Sequence, residues 1–187
     1  MPLKLVWGLT GSGDLMPETV DVMVDIRQTQ DVVITAALSK AAVQVLRWYK
    51  LMERVETTMD RVLVEKDANS PFIVGKLQVG EFDGFLVAPA TANSVAKIVH
   101  GVADTLITNA VAQTTKTDLP VYILPVDREP GETTTVLPNG DAFTLKIRDL
   151  DVENTGRLST IEGLRVIGSP SELYQAVEAY RSRVEGN

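Results

Sequence analysis

Four apolar runs, Leu3–Leu9, Asp31–Leu38, Asp83–Ala88 and Leu119–Val126, are separated by segments with helical spacing, and this alternation restricts the fold more than any other feature. A strand wetted on one face alternates apolar and polar residues, so runs that are apolar almost throughout are covered on both faces. Met16–Gln28 brings Val20, Val24 and Ile26–Arg27 near one stripe, and Lys40–Met52 reads as a second helix. In Asn93–Val102, residues Val95, Ile98, Val99 and Val102 recur at helical spacing, with Gly101 as a break near the end. The pattern predicts an α/β fold: a mostly parallel, doubly wound sheet with helices on both faces.

After Val126 the period changes. Glu132–Leu137 and Asp141–Arg148 alternate on either side of Pro138-Asn139-Gly140, which predicts an inserted β-hairpin over about 132–148. The tail predicts a helix near Val152–Thr160 and a short strand at Leu164–Ile167. A last helix follows, with its start capped around Pro170 and Ser171. Thr57–Asn69 is ambiguous, with Val62-Leu63-Val64 as a short strand. A length of 187 residues predicts a single domain, 1–187.

A net charge of −7 argues against non-specific nucleic-acid binding, which needs a basic face. With no cysteine, the chain has no disulfide, thiolate nucleophile or Cys-ligated metal. That composition is compatible with a reducing cytoplasm, the expected location. The start, Met1–Gly11, has one lysine and an apolar run too short for a signal peptide, so it reads as a strand. No apolar stretch approaches ~20 residues, and no membrane partner is expected.

Two strand-to-loop turns carry the chemistry. Thr10-Gly11-Ser12-Gly13 follows the first strand, and its glycine N–H groups and hydroxyls suit a phosphate at a helix N-terminus. It is neither GxGxxG nor a Walker loop, and a tight turn alone would also explain it. Asp14 beside it repels a phosphate, so it is expected to point away or to cap the helix. Pro89-Ala90-Thr91-Ala92-Asn93 follows the third strand; its small side chains admit a flat ring, and Asn93 offers donors and an acceptor to a ring edge. The alternative is a helix entry capped by Thr91 or Asn93. Ser39, after the second strand, faces the same crevice or caps the Lys40 helix. His100, the only histidine, ends a helix and has no companion for a metal site. Asp127-Arg128-Glu129 and Arg148-Asp149 form a solvated face or hold a substrate. Trp7, Trp48 and Tyr49 are core or interface candidates, with flanking a bound ring as the alternative for an aromatic near the first loop.

Taken together, these segments resemble the flavoprotein superfamily of homo-oligomeric flavin-containing Cys decarboxylases. The first loop resembles its phosphate turn, and Ala88–Gln113 its Pro-Ala-Ser/Thr-Ala-Asn flavin motif with the helices that follow. The resemblance implies a Rossmann-like, flavodoxin-related fold that binds FMN in trimers or multiples of trimers. It implies phosphate contacts from Thr10, Gly11, Ser12, Gly13 and Ser39, and isoalloxazine contacts from Pro89, Ala90, Thr91, Ala92 and Asn93. The decarboxylases carry a catalytic histidine where this chain has Gly75, and a Pro-Ala-Met-Asn motif where it has Leu124-Pro125-Val126-Asp127.

Gly75-Lys76, the Thr108–Gln113 segment, the stretch Pro125–Thr135 before the hairpin and Asp149–Asn154 are closer to the archaeoflavoprotein and dihydromethanopterin reductase branch. That resemblance implies an FMN-dependent oxidoreductase of one-carbon metabolism. Its substrate would be dihydromethanopterin or a related dihydropterin, with NAD(P)H or ferredoxin as electron donor and Lys76 or His100 as candidate proton donors. The alternative is an electron-transfer flavoprotein that docks ferredoxin on a basic patch of Lys76, Lys97, Lys116, Arg128 and Arg148. A decarboxylase or a flavin prenyltransferase fits less well, the latter having a Cys-Ser-type turn in place of Pro89–Asn93. The hairpin is expected to pack locally or to reach over a neighbour's site.

Overall fold

The computed structural model describes residues 1–186. Its centre is a six-stranded sheet in which every paired neighbour runs parallel. In chain order the strands are β1 (Leu3–Leu9), β2 (Val32–Leu38), β3 (Arg61–Val64), β4 (Gly84–Ala90), β5 (Val121–Pro125) and, after the hairpin strands β6 (Gly131–Val136) and β7 (Ala142–Ile147), β8 (Leu164–Val166). The spatial order is β3-β2-β1-β4-β5-β8, so the chain reverses direction across the sheet between β1 and β4. In open α/β sheets the crevice at such a reversal, beyond the strands' carboxyl ends, is where ligands bind.

The helices are α1 (Met16–Thr29), α2 (Lys40–Trp48), α3 (Met52–Thr58), α4 (Val74–Gln78), α5 (Ala92–Val99), α6 (Leu106–Thr114), α7 (Asp149–Leu158) and α8 (Glu172–Glu185). Right-handed crossovers place α1, α2 and α3 on one face and α4 to α7 on the other. Strands β1 and β4 are covered on both sides, and Leu5, Val6, Trp7, Leu9, Phe85, Leu86 and Val87 are fully buried. Trp7 is core and flanks no ring; its indole N–H donates to Ala88 O at 3.0 Å. Tyr180 of α8 lies under the start of β4, which runs past it at Gly84: a Cβ there would stand 2.5 Å from the Tyr180 ring. No helix among the described residues is long and apolar enough to cross a membrane.

Several boundaries correct the sequence reading. Lys40–Met52 is not one helix: α2 stops at Trp48, Lys50 takes a left-handed φ of 58°, and α3 starts at Met52. A left-handed residue ends a helix as glycine does, without the glycine that would have announced it. The ambiguous stretch holds β3, and α4 is a short helix that the spacing did not show. Helix α7 begins three residues before Val152, where its first-turn Asp151 forms a two-pronged ion pair with Arg148 at 2.7 Å on each arm. The last helix is not capped by Ser171: the Glu172 carboxylate accepts from Gly168 N–H (2.9 Å) and meets Ser169 Oγ (3.1 Å).

The hairpin is present, with Gly140 at φ 90° in its turn, but it is bonded to no strand of the main sheet. Apolar Val136, Phe143 and Leu145 are exposed on it. Two side-chain bonds tie it to the body: Tyr49 Oη donates to Val136 O (3.1 Å), and Thr133 Oγ1 donates to Asp14 (3.5 Å). Within the chain it therefore leans over the mouth of its own first loop.

Candidate functional site

The carboxyl ends of β1 and β4 are tied together by one side chain. Thr10, 2 % exposed, donates its hydroxyl proton to Pro89 O (2.9 Å) and accepts from Thr91 N–H at 2.8 Å. Its N–H also points to Pro89 O, at 3.3 Å. The two turns singled out in the sequence thus share one crevice at the reversal point.

That bonding sets what each residue of the expected contact set has left to offer. Thr10 has spent its hydroxyl proton and its N–H, Ala90 has no exposed surface, and Pro89 is buried. These three frame the crevice, and its accessible wall at β4 is Thr91, Ala92 and the exposed Asn93. Thr91 caps α5 by accepting from Ser94 N–H (3.2 Å), which leaves the Asn93 amide outside the capping bond.

On the β1 side, Ser12 N–H is held by Thr10 O (2.9 Å), while Gly11 and Gly13 N–H have no backbone partner among the described residues. Gly11 lies against the first turn of α2: a Cβ there would stand 2.5 Å from Ala41 Cβ and 3.0 Å from the Ala41 carbonyl carbon. A Cβ at Gly13 would stand 2.9 Å from Tyr49 Oη. Ser39 caps α2 through Ala42 N–H (3.0 Å), and its own N–H donates to Leu9 O (3.0 Å), so it stands beside the loop with one acceptor already engaged.

The crevice also holds carboxylates. Asp14 does not cap α1, whose start at Leu15 has no side-chain cap. Burial, and then the charge of Glu18, hold the Asp14 carboxyl above its usual range. Burial and the nearby Asp151 and Asp14 do the same to Asp127 at the end of β5. A carboxyl raised by folding favours the protonated native state, so stability falls as pH rises from the ordinary carboxylate value through the raised one. Asp14→Asn and Asp127→Asn are therefore expected to melt above the parent at pH 7. The gain should vanish near pH 3.5, where both states are mostly protonated. Melting curves at both pH values check this; an equal gain at both would show that charge is not the cause.

Neither proton-donor candidate lies here. His100 is exposed at the far end of α5, nine residues or roughly 13.5 Å of helical rise from Thr91. Lys76 is paired with Glu81 at 2.8 Å. The expected basic patch is partly neutralised: Lys97 pairs with Asp104 and Arg148 with Asp151, while Lys116 and Arg128 bond the neutral Gln113 amide and Gly168 O. Gly75 is on α4 with the Phe72 ring over it, and a Cβ would meet that ring at 2.3 Å. The sequence reading missed Glu65, which bonds the start of α2; Tyr49, read as a core or interface candidate, bonds the hairpin at Val136 O.

A model of the Flavoprotein family matches residues 2–172. The chain belongs to the Flavoprotein family. Within the family it is 47% identical over 175 residues to an uncharacterised protein of Methanocaldococcus jannaschii, covering 94% of each. It is 36% identical over 144 residues to the dihydromethanopterin reductase (acceptor) of the same organism, covering 73% of this chain and 58% of that enzyme. It therefore spans little more than half of that reductase. Among solved structures, Burkholderia xenovorans DmrB in complex with FMN, described as a cubic protein cage for redox transfer, aligns with a TM-score of 0.83 at 30% identity. The alignment covers 98% of this chain and 97% of DmrB. The FMN-dependent cysteine decarboxylase TvaF, at 20% identity and a TM-score of 0.66 over 96% of this chain and 98% of its own, shares the fold.

Proposed function

We propose that this flavoprotein is an FMN-dependent oxidoreductase that reduces dihydromethanopterin, or a related dihydropterin, to the tetrahydro form in one-carbon metabolism. The observation that carries the reading is the Thr10 tie, which sets an anion-binding turn and a small-residue ring wall on the two sides of one crevice. The DmrB complex and the reductase relatives support the cofactor and the reaction class.

The donor set fits FMN. The Gly11 and Gly13 N–H groups and the Ser12 hydroxyl are neutral donors for a phosphate, and Ser39 stands beside them. Asp14 beside the turn opposes a phosphate when ionised, and the burial that raises its carboxyl above the usual range lessens that opposition. Thr91, Ala92 and Asn93 offer a wall without bulky side chains to the isoalloxazine, with the Asn93 amide free for a ring edge. When bound, FMN supplies hydride or single-electron transfer. The chain's part is to hold the ring and the pterin against each other, to present N–H dipoles to developing negative charge, and to shield the reacting face from water. Solvent supplies the proton in this reading.

The family's assembly extends to this chain as a homo-oligomer built on trimers, whose neighbouring copies close the ring face that one sheet leaves open. The whole chain, 1–187, acts as one FMN domain of the cytoplasm, with NAD(P)H or ferredoxin as donor. The pairing of Lys97 and Arg148 with carboxylates makes ferredoxin the less favoured of the two.

The test is anaerobic turnover of FMN-loaded protein with dihydropterin and a chemical reductant, followed by the pterin's absorbance. Tetrahydropterin formed in proportion to enzyme is the expected result. Flavin that stays reduced while the pterin is unchanged, and reoxidises only when oxidised ferredoxin is added, would replace this reading with electron transfer alone.

A further inference from the structure

Glu65, the first residue past β3, reaches two helices with one carboxylate. Its N–H donates to Leu38 O at the end of β2 (2.9 Å). Oε2 accepts from Lys40 N–H, the first residue of α2 (3.1 Å), and Oε1 accepts from Leu106 N–H, the first residue of α6 (3.0 Å). The first N–H groups of a helix have no internal partner and carry the positive end of its dipole, so a carboxylate there holds the helix start firmly.

The turn so held is the one that supports the first loop. Ser39 caps it, and Ala41 within it is the surface on which Gly11 lies. From β3, Glu65 therefore fixes where Ser39 and Ala41 stand beneath Thr10–Gly13, without itself belonging to that loop. Its charge faces two helix N-termini, which offsets its repulsion of an anion seated nearby.

We infer that Glu65 is a positioning residue for the phosphate end of the cofactor, an inference that rests on the FMN reading of the crevice. It fixes the α2 start so that the loop's donors converge on one anion.

Riboflavin and FMN differ only by the phosphate, so their affinities separate this role from a general one in folding. Dissociation constants for both, from flavin fluorescence, are to be measured for the parent, Glu65→Ala and Glu65→Gln, with melting temperatures of the unloaded proteins. Glu65→Ala is expected to cut the preference for FMN over riboflavin at least about tenfold. Glu65→Gln keeps one acceptor oxygen and is expected to cut it less, with a melting temperature near the parent's; it decides the matter should the alanine variant not fold. Equal loss of both affinities would reduce Glu65 to a fold staple, and an unchanged or increased preference for FMN would make it a mere repelling charge. Either overturns the inference. A parent protein that binds neither flavin would instead remove the FMN reading itself.

Discussion

Gly11→Val is expected to abolish FMN uptake, with the dissociation constant raised at least about 100-fold, or some 2.7 kcal/mol. The new Cβ would stand 2.5 Å from Ala41 Cβ and 3.0 to 3.2 Å from Ala41 backbone atoms. Backbone in the first turn of a helix capped by Ser39 and held by Glu65 does not step aside. The loop must therefore lift from α2, carrying its donors away from Ser39. Gly13→Ala is the graded comparison. Its Cβ would meet the Tyr49 hydroxyl at 2.9 Å, the far end of a side chain that can swing away, so a few-fold loss is expected. Pairing it with Tyr49→Phe should restore most of that loss. Titration of the refolded variants with FMN checks all three; full uptake by Gly11→Val would move the phosphate seat elsewhere.

Tyr180→Phe is expected to cost about 2–3 kcal/mol of stability, lowering the melting temperature by roughly 5–10 °C, with FMN affinity unchanged. The Tyr180 hydroxyl is fully buried among backbone groups. It accepts from Phe85 N–H at 3.1 Å and lies 2.6 Å from Phe85 O and 2.8 Å from Pro120 O, one of which takes its proton. Burial drives this phenol far above its usual range, so it stays a neutral donor at every working pH. Phenylalanine keeps the ring and leaves buried N–H and C=O groups without a partner. The site is untouched because β4 meets Tyr180 at Phe85 and the crevice only at Ala90, some 16 Å along the strand. Urea unfolding measures the loss; one below about 0.5 kcal/mol would mean that water replaces the hydroxyl.

The buried strands were legible because a strand covered on both faces has to be apolar almost throughout, as in Leu3–Leu9 and Gly84–Ala90. The hairpin was legible from Asn139-Gly140, and the crevice from two strand ends rich in small residues. What escaped depends on partners distant in sequence. Glu65 reads as an ordinary surface acid until β3 brings it between Lys40 and Leu106. Lys50 ends α2 in a conformation its side chain does not advertise. Thr10 reads as a phosphate ligand, and only the approach of Pro89 shows where its hydroxyl proton goes.

The Thr10 tie also bears on how the protein is made. It joins Thr10 to Pro89, 79 positions on, and to Thr91, 81 positions on. During synthesis the first turn leaves the ribosome long before its counterpart, and nascent chains that stop short of Thr91 lack the crevice altogether. Flavin capture therefore reports that both halves of the sheet have met. The yellow colour of a ligand-loaded preparation would serve as a readout in living cells that the two turns have met, one that products ending before Thr91 cannot give.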